Sequence, residues 1–540
     1  MNLPEALAAR VEAWLADDPS EQDAAELRVL LEAGDEAALA DRFSAELTFG
    51  TAGLRGPLRA GPNGMNSRVV RQAAAGIAAQ LIGSGQAGGI VVIGYDGRHR
   101  SREFAYDSAR ILSAAGLRAQ LLPRMLPTPV LAFAVRHQAA AAGIMVTASH
   151  NPPQDNGYKV YAADGAQIVP PLDAEIEARI RAVTSVRQVR LAEDFEVLDE
   201  GIVNAYVQAV ARLVAPESPR RLQVVHTAMH GVGASIVRAA FAQAGFPAPV
   251  EVAAQAEPDP DFPTVAFPNP EEPGAMDLAL AQAESSGADL IIANDPDADR
   301  CAIGARFADG WRMLRGDEVG VLLADWLIRK GVRGTYATTI VSSSMLGVLA
   351  ARHRLPYRET LTGFKWISRA ADDLVYGYEE ALGYAVAPGL VRDKDGISAA
   401  LVMAELAATL LAEGRDLPAR LAELAAEYGL FATRQQSWRV SDLSLIAQAM
   451  SRLRAHPPAT LLGRPVSVTD LAANAQRAAD VVILRFDGGR VVVRPSGTEP
   501  KCKAYLEVVI AQAGDLAAAE SAADAQLAEL GTQISQLLAF

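Results

Sequence analysis

The feature that most constrains this fold is an alternation of strand and helix patterns that begins near Gly89. A buried strand pattern (IVVIGYD), a helix pattern (SREFAYDSARILSAAG), a strand (RAQLL), a helix (PVLAFAVRHQ) and a strand (AGIMVTAS) follow one another. Such alternation is typical of an α/β layer in which helices cross between successive strands. The sequence therefore predicts an α/β fold for this part of the chain.

The pattern recurs twice before the C-terminal part departs from it. One block runs from RLQVVHTAM to ADLIIAND, and another from about Gly316 to Glu427. Near the end, VVILRF and RVVVRP flank Asp487-Gly488-Gly489, which predicts an antiparallel hairpin, and an Ala-rich helix follows. Domains of about 100–200 residues are usual. We therefore predict α/β domains at 1–205 (with a helical lead over 4–45), 206–315 and 316–430, and a smaller α+β domain at 431–540.

Composition limits what such a chain binds. The formal charge of −14 argues against nucleic acid, because binding a phosphate backbone needs a basic surface. No apolar run approaches the roughly 18 uncharged residues of a membrane span, and the N-terminal residues form no signal-peptide core. The two cysteines, Cys301 and Cys502, lie far apart, which fits a reducing compartment. We expect a cytoplasmic protein with no nucleic-acid or membrane partner.

The segment TASHNPPQDNGYKV, residues 147–160, predicts an exposed serine where a buried strand ends. Asn151-Pro152-Pro153 excludes helix and forms a rigid turn, a setting that suits a nucleophile at Ser149. A serine hydrolase is excluded because GxSxG is absent. His150 is a poor base for Ser149, since successive side chains on an extended backbone point in opposite directions. An ordinary exposed turn remains the alternative.

The segment ADLIIANDPDADR places Asp295, Asp297 and Asp299 at alternate positions on a loop after a buried strand. Three carboxylates this close repel one another without a cation, and all-oxygen ligation suits a hard ion such as Mg²⁺. A calcium-binding EF-hand is excluded because its sixth and twelfth positions would be Arg300 and Arg306. A solvated acidic turn is the alternative.

Four further segments carry polar or charged groups that suit the binding of an anion or of hydroxyl groups. RVVVRPSGTEPK, residues 490–501, combines a guanidinium fork, hydroxyls and glycine as a phosphate cradle does, with an ordinary basic turn as the alternative. In YGYEEALGY, Glu379 and Glu380 are predicted on a Gly-flanked loop suited to sugar hydroxyls. Lys394 in RDKDG suits either proton transfer or a solvated turn, and Arg55 lies on the glycine-rich turn GTAGLRG.

Together these segments resemble those of the α-D-phosphohexomutase family, which includes phosphoglucomutases and phosphomannomutases. TASHNP resembles the phosphoserine loop of that family, DPDADR its metal loop, EEALGY its sugar-recognition loop and RPSGTEPK its phosphate-binding loop, in the family's order from about residue 48 to 510. The spellings GTAGLR, QDNGYKVY, GFKW and DKDGISAA are most similar to the branch with phosphoglucomutase-2 and phosphopentomutase-type enzymes. The resemblance implies four domains around a central cleft, the first three sharing one α/β topology.

The resemblance also implies a reaction and a set of site residues. A phosphate on Ser149 passes to a sugar phosphate through a bisphosphate intermediate, with Mg²⁺ bound by Ser149 and by Asp295, Asp297 and Asp299. Sugar phosphates and a sugar bisphosphate are the implied partners. The implied catalytic residues are Ser149, His150, Lys159, Arg300, Lys394 and Arg55, and the implied substrate-binding residues are Thr362, Gly363, Glu379, Glu380, Arg494, Ser496, Gly497, Thr498 and Lys501.

The substrate is less closely defined than the reaction. Glucose is the expected sugar, with pentose or mannose phosphates, or synthesis of a sugar 1,6-bisphosphate, as alternatives. The chain departs from the family at Ala381, where the sugar loop usually carries serine. A further arginine after the phosphate loop has no counterpart unless Lys501 or Lys503 substitutes for it. A non-catalytic sugar-phosphate-binding protein is disfavoured because Ser149 and the three aspartates are intact.

Overall fold

The computed structural model describes residues 4–50, 53–440, 442–473, 479–496, 501–511 and 515–539. The chain divides into two compact units, Met1–Met313 with Gly383–Thr409, and Leu314–Leu382 with Leu410–Phe540. Within the described ranges, no single helix has the length and apolar character to cross a membrane, although one bent pair, Gly396–Ala412 with Leu417–Tyr428, passes by length and composition alone.

A helical lead opens the first unit, as predicted for residues 4–45. It consists of α1 (Glu5–Asp17), α2 (Glu21–Ala33) and α3 (Glu36–Phe43). Helix α2 begins where the Ser20 hydroxyl accepts the N–H of Asp23, and it ends at Gly34, whose φ of 66° closes the helix. The apolar faces of the three helices bury Val11, Leu27, Leu39 and Phe43 in one cluster.

A six-stranded mixed sheet follows. Its strands are β1 (Leu54–Pro57), β2 (Ile90–Tyr95), β3 (Arg118–Leu121), β4 (Ala142–Val146), β5 (Asp155–Ala162) and β6 (Glu196–Val197), and its helices are α4 (Ser67–Gly83), α5 (Ser101–Ala114), α6 (Thr128–His137), α7 (Leu172–Arg181) and α8 (Gly201–Ala211). The spatial order is β1-β5-β4-β2-β3-β6. Strand β4 is parallel to β2 and antiparallel to β5, so the turn between β4 and β5 returns the chain along its neighbour.

A second sheet in the same unit carries the strand that leads to the predicted metal loop. It contains β7 (Val224–Thr227), β8 (Val250–Glu251), β9 (Leu290–Ala293), β10 (Ala302–Phe307) and β11 (Gly310–Met313), with α9 (Ala234–Gln243), a 3₁₀ turn (Ala253–Gln255) and α10 (Asp277–Ser286). The order is β11-β10-β9-β7-β8. All four residues of β9 are buried, as its apolar sequence predicts.

The second unit begins with a parallel sheet. Its elements are α11 (Gly316–Arg329), β12 (Thr335–Thr339), α12 (Met345–Arg352), β13 (Tyr357–Thr360), α13 (Phe364–Ile367) and β14 (Leu374–Glu379). Strand β12 lies between β13 and β14 and is parallel to both. The chain then returns to the first unit, which contains β15 (Gly383–Ala385) and most of α14 (Gly396–Ala412), and α15 (Leu417–Tyr428) lies in the second unit.

The C-terminal part of the second unit is an antiparallel sheet with helices, as predicted. Its elements are β16 (Leu430–Arg439), α16 (Leu443–Ala455), β17 (Thr460–Leu461), β18 (Arg464–Pro465), β19 (Ser467–Asp470), a 3₁₀ turn (Leu471–Ala473), β20 (Val482–Phe486), β21 (Gly489–Pro495), β22 (Lys501–Ile510) and α17 (Leu516–Leu538). The sheet order is β16-β22-β21-β20-β19. The predicted hairpin is confirmed, since β20 pairs with β21 and Phe486 faces Gly489. The four domain boundaries proposed from sequence stay a prediction.

Candidate active site

Ser149 lies on the turn after β4, in the first unit. The strand ends at Val146, so the expectation of a strand reaching the serine was wrong. Ser149 has a left-handed backbone with φ of 53°, which is uncommon outside glycine. Its hydroxyl donates to Asp295 Oδ2 at 2.7 Å. The residue is only 3% exposed, so the expected exposed serine is buried in this structure.

His150 faces the serine hydroxyl. Its Nδ1 lies 3.2 Å from Ser149 Oγ. The expectation that the two side chains point in opposite directions was wrong because Ser149 is left-handed rather than extended. Burial lowers the pKa of His150 well below its usual value, and the charges of Arg300 and Arg55 lower it further. The lowered pKa favours the neutral form of the imidazole.

Three buried carboxylates stand on the loop between β9 and β10. Asp295, Asp297 and Asp299 each place an oxygen within 4.8 Å of the others. Asp297 Oδ1 and Asp299 Oδ1 are buried and have no hydrogen-bond partner among the described residues. A buried carboxylate oxygen without a donor is costly, and a cation that binds such oxygens removes the cost. The donor set and the unpartnered oxygens thus fit a divalent metal ion.

Two lysines neutralise part of this charge. Lys159, on β5, places Nζ 2.7 Å from Asp297 Oδ2 and 3.0 Å from Asp299 Oδ2. Lys394 Nζ lies 3.2 Å from Asp299 Oδ2. Burial alone would raise the pKa of Asp299, but the two ammonium groups hold it well below its usual value. Burial would likewise lower the pKa of Lys159, but Asp297 and Asp299 raise it, so this lysine stays charged.

The loop that carries Lys394 is fixed from β5 and from the turn that follows it. The Tyr161 hydroxyl donates to Asp393 Oδ2 at 2.9 Å, and Gln167 Nε2 donates to the same oxygen at 2.8 Å. These bonds hold the RDKDG segment against the first sheet. They explain how Lys394, far from Asp299 along the chain, reaches the aspartate cluster.

Two arginines border the same region. Arg55, on β1, donates from Nη1 to Asn151 Oδ1 at 3.0 Å, which links it to the serine turn. Arg300 follows the aspartates directly, and its N–H donates to Asp295 Oδ1 at 3.0 Å. The Arg300 Nη1 atom lies 3.6 Å from Glu271 Oε2. The first unit therefore brings together all the catalytic residues that the resemblance implied.

The predicted sugar-binding residues lie in the second unit. Glu379 is the last residue of β14 and is 9% exposed, so its predicted place on a loop was wrong. Glu380 Oε2 accepts from the hydroxyls of Ser342 at 2.9 Å and Thr339 at 3.3 Å. Burial raises the pKa of Glu380 to about 7, and the charges of Glu379 and Asp317 add to the effect. Thr362 and Gly363 directly precede α13, and Gly363 has a φ of 113°.

The predicted phosphate cradle is described only in part. Arg494 lies on β21, and Ser496 donates its N–H to the carbonyl of Lys501 at 2.8 Å, across the connection between β21 and β22. Gly497 and Thr498 lie outside the described residues. The cradle as a phosphate site stays a prediction.

Sequence reasoning missed two residues of the site. The Thr128 hydroxyl, at the start of α6, donates to Asp297 Oδ2 at 2.6 Å. Asn294 Nδ2 donates to the carbonyl of Arg300 at 2.7 Å and closes the metal loop. Asn294 adjoins the aspartates and could have been found from that adjacency. Thr128 carries no signal in the sequence, because only the tertiary structure brings α6 to the loop.

Comparison with protein-family models gives four matches in order along the chain. The models describe phosphoglucomutase/phosphomannomutase alpha/beta/alpha domains I, II and III and the C-terminal domain. They match residues 46–187, 204–306, 315–428 and 452–524. The predicted four-domain phosphohexomutase architecture is thereby confirmed.

Individual proteins are similar over most of the chain. A Haemophilus influenzae protein assigned as a probable phosphomannomutase is 47% identical over 82% of this chain and 93% of its own length. Human phosphopentomutase is 34% identical over 92% of this chain and 90% of its own length. A crystal structure of a Thermus thermophilus protein assigned as a phosphomannomutase covers 91% of this chain and 99% of its own, at a TM-score of 0.71 and 27% identity. The chain therefore belongs to the phosphoglucomutase/phosphomannomutase family, whose members are phosphotransferase-type isomerases.

Proposed function

We propose that this enzyme interconverts the 1-phosphate and the 6-phosphate of a hexose through a phosphoserine at Ser149 and a bisphosphate intermediate. The hydrogen bond from Ser149 Oγ to Asp295 Oδ2, 2.7 Å long, carries the proposal. This contact supports the assignment of Ser149 as nucleophile, because the hydroxyl lies beside an aspartate cluster that fits a cation and next to the ring of His150. Glucose is the sugar we assign first. Mannose and ribose are the alternatives, since similar proteins bear the names phosphomannomutase and phosphopentomutase.

Mg²⁺ is the ion that we assign to Asp295, Asp297 and Asp299. Carboxylate oxygens suit this hard cation, which also takes phosphate oxygens, and a phosphate on Ser149 would supply one. Such an ion, when bound, offsets the negative charge of the transferring phosphoryl group. The unpartnered oxygens of Asp297 and Asp299 support this assignment.

The residues of this chain would move a proton and hold charge during transfer. The bond between phosphorus and Ser149 Oγ breaks, a bond to the sugar oxygen forms, the sugar hydroxyl loses its proton and Ser149 Oγ gains one. His150, with Nδ1 at 3.2 Å from that oxygen, is the residue we assign to proton transfer at the serine. Lys159 and Lys394 supply charge, and Arg55 and Arg300 offer guanidinium forks for phosphate oxygens.

The second unit would provide the substrate contacts. We assign Thr362, Gly363, Glu379 and Glu380 to the sugar. We assign the non-reacting phosphate to the cradle residues, which are Arg494, Ser496, Gly497, Thr498 and Lys501.

Intact-mass measurement tests the proposal. The purified protein, after incubation with a hexose 1,6-bisphosphate, should gain about 80 Da, the mass of one phosphate. Ser149→Ala should show no gain and should lose at least about 10³-fold in turnover, because the nucleophile is gone. Ser113→Ala is the matched control, since Ser113 Oγ also donates to an aspartate, Asp194, at 2.5 Å.

A substrate panel completes the test. Glucose, mannose and ribose 1-phosphates are compared by kcat/KM, with an acyl-phosphate donor as the arm for bisphosphate synthesis. We expect the highest value for glucose 1-phosphate. Full turnover in Ser149→Ala would overturn the mechanism, and phosphate transfer only from the acyl donor would identify a bisphosphate synthase.

A further inference from the structure

A buried guanidinium holds the turn that carries Ser149. Arg98 follows β2, and its side chain is 1% exposed. From Nη2 it donates to the carbonyls of Ser149 at 2.6 Å and Asn151 at 2.5 Å. From Nη1 it donates to the carbonyls of Pro152 at 2.7 Å and Asp155 at 3.1 Å. One side chain therefore fixes four carbonyls of the serine turn.

The backbone carbonyl and the backbone N–H of Ser149 each have a side-chain hydrogen-bond partner. Its carbonyl accepts from Arg98, and its N–H donates to Thr147 Oγ1 at 2.8 Å. The φ of 53° at this position is unfavourable for a residue with a side chain, so the conformation persists only where its surroundings impose it. That conformation turns the serine hydroxyl toward Asp295 and His150 together.

Arg98 is itself held from the opposite side. Asp96 Oδ1 accepts the N–H of Arg98 at 3.0 Å, and Asp96 Oδ2 lies 3.5 Å from Arg98 Nε. The guanidinium carbon lies 4.9 Å from the centre of the Phe262 ring. A planar guanidinium that packs on the Phe262 ring and donates from its terminal nitrogens defines the positions of the carbonyls it binds more sharply than a flexible ammonium does.

We propose that Arg98 is the positioning residue of the phosphoryl-transfer step, acting through the backbone of Ser149. The proposal rests on the proposed function, since it concerns the serine assigned there as nucleophile. Arg98 has no terminal N–H group left for a substrate, because Nη1 and Nη2 each donate to two backbone carbonyls. Its loss slows the chemical step and leaves substrate affinity unchanged.

Arg220 supplies a matched control in the same unit. Its guanidinium donates to the carbonyls of Ala244 at 2.7 Å, Ala215 at 2.8 Å and Pro219 at 3.4 Å, and to that of Ser218. The guanidinium carbon lies 5.0 Å from the centre of the Phe246 ring. Arg220 thus performs the same structural task on a turn that carries no site residue.

The experiment compares Arg98→Lys with Arg220→Lys in the full-length protein. Lysine keeps the charge but cannot bind four carbonyls with a planar fork. Arg98→Lys should lower kcat by about 100-fold, the cost typical of a misplaced reacting atom, with KM changed by less than about threefold. Arg220→Lys should keep kcat within about threefold of wild type. Thermal unfolding of both variants reports any shared loss of stability.

Single-turnover phosphorylation gives a readout that a purely structural role would not change. The rate at which Ser149 takes phosphate from glucose 1,6-bisphosphate, followed by intact mass, should fall in Arg98→Lys as much as kcat does. An unchanged rate, or an equal loss of kcat in Arg220→Lys, would overturn the proposal. If wild type itself takes up no phosphate, the proposed function fails instead, so the two failures are distinguishable.

A milder change keeps the test valid if Arg98→Lys does not fold. Thr147→Val removes the hydroxyl that accepts the N–H of Ser149 while keeping the shape of the side chain. It should lower kcat by about tenfold, and Thr147→Ser, which restores the hydroxyl, should recover most of the loss. Equal activity of the Thr147→Val and Thr147→Ser variants would contradict the proposal that the backbone conformation of Ser149 sets the rate of the reaction.

Discussion

Each unit of this enzyme contains a cluster of buried carboxylates, and the two clusters are satisfied differently. In the second unit, Asp317 accepts the N–H of Ser343 at 2.7 Å, the Tyr378 hydroxyl at 3.1 Å and the Thr433 hydroxyl at 2.9 Å. Nearby, Glu507 accepts the Ser343 hydroxyl at 2.9 Å. Both carboxylates therefore have donors from the protein.

Glu507 is also paired with a charge. Arg490 Nε donates to Glu507 Oε2 at 2.8 Å, and Arg490 Nη1 donates to Glu359 Oε1 at 2.8 Å. In the first unit, by contrast, Asp297 Oδ1 and Asp299 Oδ1 have no partner in the described part of the chain despite two nearby lysines. Burial and charge alone thus do not distinguish a candidate metal site from a structural cluster. What distinguishes the first cluster is that two neighbouring aspartates each keep an unpartnered oxygen.

The largest expected difference between the two carboxylate clusters is in the metal dependence of activity. EDTA should abolish turnover, and excess Mg²⁺ should restore it, because the ion is assigned to the Asp295 cluster. Asp297→Asn should raise the Mg²⁺ concentration for half-maximal activity by about 100-fold. Asp317→Asn, the matched control, should leave that concentration unchanged. Calorimetric titration of Mg²⁺ gives the same comparison without turnover, and full activity in EDTA would contradict the assignment.

Substitutions of two aspartates in the first cluster, Asp297 and Asp295, should change the free energy of unfolding of the metal-free protein in opposite directions. Asp297→Asn breaks a buried ion pair with Lys159, which should lower the free energy of unfolding by about 3 kcal/mol. Among the described residues, Asp295 is paired with no lysine, and it accepts from the Ser149 hydroxyl and the Arg300 N–H. Asp295→Asn therefore relieves repulsion and should raise the free energy of unfolding by about 1 kcal/mol. Urea unfolding in EDTA measures both, and equal losses would refute the distinction.

The Asp317 cluster should show itself in the pH dependence of stability. Burial raises the pKa of Asp317 to about 6, and the charge of Glu507 adds to it. Between about pH 4 and 6 the folded protein keeps a proton that the unfolded chain has lost, so this group destabilises the fold as pH rises. As pH rises across that window, the free energy of unfolding of Asp317→Asn should increase by about 2–3 kcal/mol relative to that of wild type. Above the window, the difference between the two proteins should stay constant. A difference in unfolding free energy that does not change between pH 4.5 and 7.5 would contradict this.

The smallest expected effect concerns sugar choice. Ala381 follows Glu380 and has no hydroxyl to offer a sugar. A net hydrogen bond contributes about 0.5–1.5 kcal/mol, so Ala381→Ser should shift the ratio of kcat/KM for glucose 1-phosphate over ribose 1-phosphate by about two- to tenfold toward hexose. Wild type should keep measurable pentose activity. A ratio that the substitution does not move would show that Ala381 does not set specificity.

Much of the fold follows from periodicity. The strands β2, β4, β7 and β9 and the hairpin of β20 and β21 are formed by the segments predicted to form them, because short apolar runs bounded by turn signals favour buried strands. Strand β3, also predicted, alternates less buried and buried positions instead. The prediction from sequence failed chiefly in the backbone conformation of single residues. Ser149 was treated as extended, and its φ of 53° reversed the expected direction of His150.

The sequence by itself determined the family, the α/β alternation and the identity of the charged groups, because these depend on residue type and on spacing along one segment. Only the tertiary structure decided which of those groups meet. Lys159 and Asp297 are 138 residues apart, and Thr128 and Asp297 are 169 apart, yet each pair is in hydrogen-bond contact. The role of Arg98 likewise depends on a turn that folds over it from a distant strand. Long-range pairing is set by sheet topology and packing, which no local pattern records.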